Sequence, residues 1–177
     1  MSSPTITLSR LGESDSKELL AGLRRSHALL KPWMDAPRTE WEVAKYLMVS
    51  EPACLRYGIR STKGELAAVV NINGIIRGAF QNGFLGYFAL CPHQRRGYVR
   101  AGIQAVVSEA FTVQGLHRVE ANIQPANERS STLIRSLGFR SEGHSPRYLK
   151  IGGQWRDHDR YAITREEFVA GRSSSDR

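Results

Sequence analysis

Leu90-Cys91-Pro92-His93-Gln94-Arg95-Arg96-Gly97-Tyr98-Val99-Arg100-Ala101-Gly102 is the stretch whose reading decides the fold. Before it, residues 84–90 are aromatic and apolar, the composition of a strand. After it, Ile103, Val106, Val107, Ala110 and Phe111 recur at the spacing of one buried helix face. Strand, short basic loop and helix thus follow each other directly. A helix N-terminus offers about four unpaired N–H groups and a partial positive charge, which suits an anion. Gly97 has no side chain to keep a pyrophosphate off the backbone, and Arg95 and Arg96 add charge. An ordinary strand–turn–helix with a solvated basic loop would carry the same residues.

Outward from this stretch the chain reads as strand, helix, helix, three strands, central helix, strand, short helix and a final strand pair. Residues 5–8 alternate as a first strand. Residues 14–30 form a helical pattern carrying Leu19, Leu20, Leu23 and His27 on one side, ended by Lys31 and Pro32. Thr39 and Glu42 have the spacing of a capping box for a second helix. Residues 53–61 and 65–72 read as a hairpin turning at Gly64, with Asn71 and Asn73 on one face of its second strand, where they could meet a substrate backbone. Residues 117–124 alternate Arg118, Glu120 and Asn122 against Val119, Ala121 and Ile123. A short helix runs from Asn127 to Gly138, and residues 139–145 and 156–163 read as an antiparallel strand pair around Gly152-Gly153. This order suits an α/β sandwich on a mixed sheet. Residues 1–170 read as one domain, and residues 171–177 as a polar, disordered tail.

Gln94-Arg95-Arg96-Gly97-Tyr98-Val99 resembles the Q/R-x-x-G-x-G/A segment of the GNAT acyltransferases, with Val99 where that pattern has Gly or Ala. Asn127-Glu128-Arg129-Ser130 followed by Leu137-Gly138-Phe139 is similar to the N-x-x-S…L-G-F segment of the same superfamily. Residues 148–158, and Arg77-Gly78-Ala79-Phe80 followed by Leu85-Gly86-Tyr87, look like the Rim-type ribosomal-protein N-terminal-alanine acetyltransferases. The blocks span residues 77–163 in order, with weaker similarity back to Leu8. The resemblance implies a GNAT-type mixed, mostly antiparallel central sheet with flanking helices, splayed after Leu90 to admit acetyl-CoA. It implies acetyl-CoA as co-substrate, with Gln94, Arg95, Arg96, Gly97, Tyr98 and Val99 at the pyrophosphate and Asn127 at the pantetheine arm. It places the backbone near Ala89 and Leu90 at the thioester carbonyl and Ser130 as proton donor to the CoA sulfur. Trp33 and Met34 would border the acceptor site; Trp41 fits that border and the core equally well.

Amine acetylation needs a deprotonated nucleophile, a polarised carbonyl and a proton for the thiolate. An α-amine, with a pKa of about 8, asks only for a modest base, whereas a lysine near 10.4 asks for more. Glu120 is the candidate base, with an ion pair to Arg118 as the competing reading; Glu142 and His144 are alternatives. The resemblance allows a glutamate near position 147, but Arg147 cannot act as a base. His93 reads as an exposed or CoA-contacting residue, and His117 and His158 as structural.

With 41% hydrophobic and 24% charged residues, the chain has the composition of a soluble globular protein. No apolar run approaches a membrane span of about 18 residues, and the first residues have no signal-peptide layout, so a cytoplasmic enzyme is expected. Cys54 and Cys91 make neither a disulfide framework nor a zinc site, and no metal is expected. P-loop and Gly-x-Ser-x-Gly motifs are absent. The net charge of +8, from 20 Arg and 5 Lys against 17 acids, favours anionic partners. The cations are scattered, so RNA contact is permitted and not required. The resemblance implies a protein or peptide N-terminus beginning with Ala or Ser as partner, as on a ribosomal protein, and a monomer or homodimer is expected. A small-molecule amine acetyltransferase and a non-catalytic ribosome-assembly module are the rival readings.

Overall fold

A computed structural model describes residues 4–48 and 53–175. Its centre is a seven-stranded sheet in the order β1-β2-β3-β4-β5-β7-β6. The strands are β1 (Thr7–Arg10), β2 (Leu55–Arg60), β3 (Leu66–Ile76), β4 (Asn82–Ala89), β5 (Arg118–Ile123), β6 (Arg140–Ile151) and β7 (Gln154–Thr164). All neighbours are antiparallel except β4 and β5. The chain crosses between those two through α4 (Tyr98–Thr112), which lies against one face of the sheet.

The helix face expected from the sequence is the buried one: Ile103, Val106, Val107, Ala110 and Phe111 pack on Tyr57, Ile59, Val70 and Ile72. Gly102 lets α4 approach closely, since a Cβ there would lie 2.7 Å from Ile59 Cγ1. The opposite face is covered by α1 (Ser16–Arg25), α2 (His27–Leu30) and α3 (Glu40–Met48), whose Leu19, Leu23, Leu30 and Val43 meet Val69, Phe88 and Leu90. The capping box forms as read: Thr39 Oγ1 accepts from the Glu42 N–H (3.2 Å) and Glu42 Oε2 accepts from the Thr39 N–H (3.1 Å).

Two expectations change. The pattern over residues 14–30 is interrupted at Ser26, whose hydroxyl donates to the Gly22 carbonyl (2.7 Å) and accepts from the Cys91 N–H (2.8 Å). A tertiary bond to the basic loop thus wins over helix continuity. The closing hairpin is longer than the alternation suggested, because β6 and β7 continue to the turn at Gly152 and Gly153. The last described element is α6 (Arg165–Ser175), where Phe168 packs edge-on against Phe111. Residues 1–3, 49–52 and 176–177 lie outside the described residues. Among the described residues no helix is long and apolar enough to cross a membrane, and no acidic, Cys or His group has the clustering of a metal site.

Candidate active site

β4 and β5 pair only from Asn82, Gly83 and Phe84 to Arg118, Val119 and Glu120. Beyond these, β4 stays with β3 as far as Ala89, and β5 stays with β7 as far as Ile123. The sheet therefore splays after Phe84, not after Leu90, and a cavity of about 730 Å³ opens in the seam. The backbone polarity of β4 follows from its register. The Leu90 N–H donates to the Ala67 carbonyl (2.9 Å), so alternate amides of β4 face β3. Tyr87 and Ala89 then direct their amides into the seam. Ala89 can polarise a carbonyl there; Leu90 cannot, because its N–H is already used and its side chain is 1% exposed.

The α4 N-terminus stands at one end of this seam. Gly97 is its N-cap at φ 83°, a left-handed conformation that favours glycine, and among the described residues no side chain caps the first turn. The amides of Tyr98, Val99 and Arg100 are left for an anion, beside the exposed Arg95 and Arg96. A Cβ at Gly97 would also meet Pro4 Cδ at 2.9 Å. Gln94, Arg95 and Val99 line the cavity, whereas Arg96, Gly97 and Tyr98 lie outside its wall at the helix terminus. An elongated groove ending in an uncapped helix fits a long ligand with a phosphate-bearing end.

Asn127 and Ser130 line the same groove at the start of α5 (Glu128–Ser136). The cap is Asn127, whose Oδ1 accepts from the Ser130 N–H (3.3 Å), leaving Nδ2 for a ligand carbonyl. The Ser130 hydroxyl has no protein partner among the described residues, so capping does not occupy it. Tyr87 donates to the Ser130 carbonyl (3.4 Å), and burial pushes its phenol up to about 12, which keeps it protonated.

Trp33, Met34, Asn71 and Asn73 are on the opposite wall. Gln124 Nε2 donates to the Pro32 and Trp33 carbonyls (both 3.3 Å), fastening the chain after α2 over the groove. Asn71 is 6% exposed and donates from Nδ2 to the Tyr46 hydroxyl (2.7 Å), while its Oδ1 has no partner among the described residues. Asn122 Oδ1 is likewise buried and unpartnered in this wall. Such buried acceptors are costly unless a donor arrives.

The structure does not bring Glu120 to this wall. Its carboxylate accepts from Arg118 Nε (3.0 Å) at the root of the seam, and Arg118 also holds Glu142 (2.5 Å). The ion-pair reading therefore describes Glu120. His144 is bound by Asp159 (2.8 Å) and Asp157 (3.4 Å) on the far hairpin, and Glu142 is held by Arg118 and Arg140. His93 is 7% exposed, not open to solvent, and stacks edge-on against Tyr98. The residue that sequence reasoning missed is His158, assigned a structural role, yet lying in the groove wall. Strand alternation puts it on the face opposite Asp157 and Asp159, which was the available signal.

A second cavity, of about 940 Å³, adjoins the groove and shares Met34 and Tyr46 with it. Lys31, Arg38, Lys45 and Arg156 contribute fixed cations to its lining, against Asp35 and Glu42. Both carboxylates already serve backbone amides. Asp35 accepts from the Gly152 N–H (3.0 Å), and Glu42 accepts from the Arg38 N–H (2.7 Å). Those amide bonds hold the Glu42 carboxyl below the usual carboxylate range. Trp41, 70% exposed, belongs to this lining and not to the core.

A sheet splayed beside an uncapped helix terminus defines an α/β fold with a slot suited to a phosphate-bearing ligand. Residues 5–140 match the acetyltransferase (GNAT) domain model, and the chain belongs to that family, whose members use acetyl-CoA. It is 37% identical over 108 residues to the Escherichia coli [ribosomal protein uS5]-alanine N-acetyltransferase, covering 61% of this chain and 56% of that relative. The match thus spans little more than half of the curated relative's length. The Mycobacterium smegmatis RimJ structure, in complex with CoA-disulfide, is 26% identical, with a TM-score of 0.83 over 96% of this chain and 90% of that one. Spermidine N-acetyltransferase from Vibrio cholerae, in complex with CoA and spermine, shares the fold at 19% identity, with a TM-score of 0.80 over 93% of this chain and 98% of that one.

Proposed function

We propose that this chain transfers the acetyl group of acetyl-CoA to the α-amine of a protein N-terminus beginning with Ala or Ser, a cytoplasmic ribosomal protein being the leading class. The cationic lining of the second cavity carries the choice of acceptor. A polyamine is positive at each nitrogen and would meet Lys31, Arg38, Lys45 and Arg156, which Asp35 and Glu42 offset only in part. A peptide bears its positive charge only at the reacting end, and its neutral or acidic continuation suits this lining. Asn71 Oδ1 and Asn122 Oδ1 supply acceptors for the donors of an incoming amine or its first peptide group.

In this reading the uncapped α4 terminus and Arg95 hold the pyrophosphate, Asn127 holds the pantetheine arm, the Ala89 amide polarises the carbonyl, and Ser130 protonates the departing thiolate. Release of CoA thiol should be compared for an Ala-starting peptide, the same peptide blocked at its N-terminus with a free internal Lys, and spermidine. The expected kcat/KM is highest for the free Ala peptide. A higher value for spermidine would install the small-molecule reading, and acetylation of none would support the non-catalytic one.

A further inference from the structure

With Glu120 engaged by Arg118, and Glu142 and His144 held elsewhere, the groove needs another group to take the acceptor's proton. His158 is 2% exposed, comes from β7, and forms part of the groove wall with Asn122, Gln124 and Ser130. Its Nδ1 lies 3.0 Å from the Arg156 carbonyl oxygen. A carbonyl can only accept, so Nδ1 carries the proton and, in the neutral ring, Nε2 carries the lone pair. Among the described residues no side chain or backbone group bonds Nε2. The ring is also fixed in orientation by Tyr148, at 5.7 Å between centroids, and Tyr148 accepts from Asn122 Nδ2 (3.4 Å).

We infer that His158 is the general base for the acceptor amine, with the Arg156 carbonyl fixing its tautomer. This inference rests on the acetyl-transfer reading of the groove. The ammonium gives one proton to His158 Nε2, and the freed lone pair forms the C–N bond to the acetyl carbon as the C–S bond breaks. Once the C–N bond has formed the nitrogen sheds its second proton to water, Ser130 gives its proton to the thiolate, and water re-protonates the Ser130 oxygen. His158 then returns its proton to water.

The test uses the full chain, with His158→Gln preserving a side-chain donor toward the Arg156 carbonyl. Turnover is followed with the Ala-starting peptide, or with spermidine if that is the amine the wild type accepts. The variant should be about 100-fold slower at pH 7. It should come within about 5-fold of wild type at pH 9.5, where an amine of pKa about 8 is already free base. CoA affinity should be unchanged by calorimetry. Nitrogen-15 spectra of the unliganded wild type should show the His158 Nδ1–H tautomer. A loss of equal size at every pH, an unchanged rate at pH 7, or a protonated Nε2 in the neutral ring would overturn the assignment. Wild type that turns over spermidine and not the peptide refutes the protein-acceptor reading alone, because the His158 comparison then proceeds on spermidine. It is then read by the loss at pH 7 and by the Nδ1–H tautomer, since an alkylamine of pKa about 10.4 stays largely protonated at pH 9.5.

Discussion

The two halves of the sheet are built on different physics. In the first, β1 to β4, both faces are apolar: Val70 and Ile72 pack under α4, and Val69 and Phe88 pack under α1 to α3. In the second, β5, β7 and β6, only the α4 side continues that core, through Val119, Ala121 and Ile163. Its other face carries Arg118, Glu120 and Glu142 in an ion-paired row. β3 and β4 share seven register pairs, whereas β4 and β5, where the halves join, share three. Burial of apolar area, at about 25 cal/mol per Å², holds the first half rigid. The seam is where strand edges are left unpaired between β4 and β5, so the first half supplies the scaffold and the junction the opening to which we assign the proposed chemistry.

The largest effect is expected where the seam ends at the helix. Gly97→Glu puts a strained residue and a negative charge beside the uncapped amides. CoA affinity should fall on the order of 1,000-fold, equivalent to about 4 kcal/mol, as charge-assisted bonds worth about 1.5–3 kcal/mol each are lost. Calorimetry on a variant with an unchanged circular dichroism spectrum decides this, and retained affinity would move the anion site elsewhere. Ser130→Ala comes next. Because Asn127 is the cap, stability should be nearly unchanged while kcat falls by about 100-fold. A fall in melting temperature with full kcat would make Ser130 a packing residue.

The smallest effect belongs to the polar half alone. The Arg118 hydrogen bonds hold the Glu142 carboxyl below the usual carboxylate range, with Arg140 adding to the effect. A depressed carboxyl stabilises the fold above its unfolded pKa and ceases to do so as pH falls through the folded value. Acid melts of wild type should therefore lose an increment of stability below about pH 4.5 that Glu142→Gln lacks, of the order of 0.5 kcal/mol for a part-buried pair still screened by solvent. CoA affinity should not change in this variant, which would separate the ion-paired row from the seam.

The first half was legible because its signals are local. The buried face of α4, the Thr39–Glu42 box and the Gly97 loop each depend on neighbours within a few residues. The seam was legible only in outline, since strand composition does not say where β4 parts from β5. Alternation put Glu120 on the cleft side of its strand, but whether Arg118 occupies it is settled by side-chain geometry. His158 escaped notice because its place in the wall depends on β7 lying between β5 and β6, a long-range pairing. The second cavity was equally hidden: its cations come from residues 31–45 and from Arg156, brought together by the Asp35 contact with the hairpin turn.

Residue-resolved amide exchange with and without CoA tests the central claim that the junction is the co-substrate site. Protection should rise at Tyr87 and Ala89, whose amides face the seam, and at Tyr98, Val99 and Arg100, while Val69, Val70 and Leu90 stay as they were. Protection gained uniformly over both halves, or confined to the β6–β7 hairpin, would contradict it.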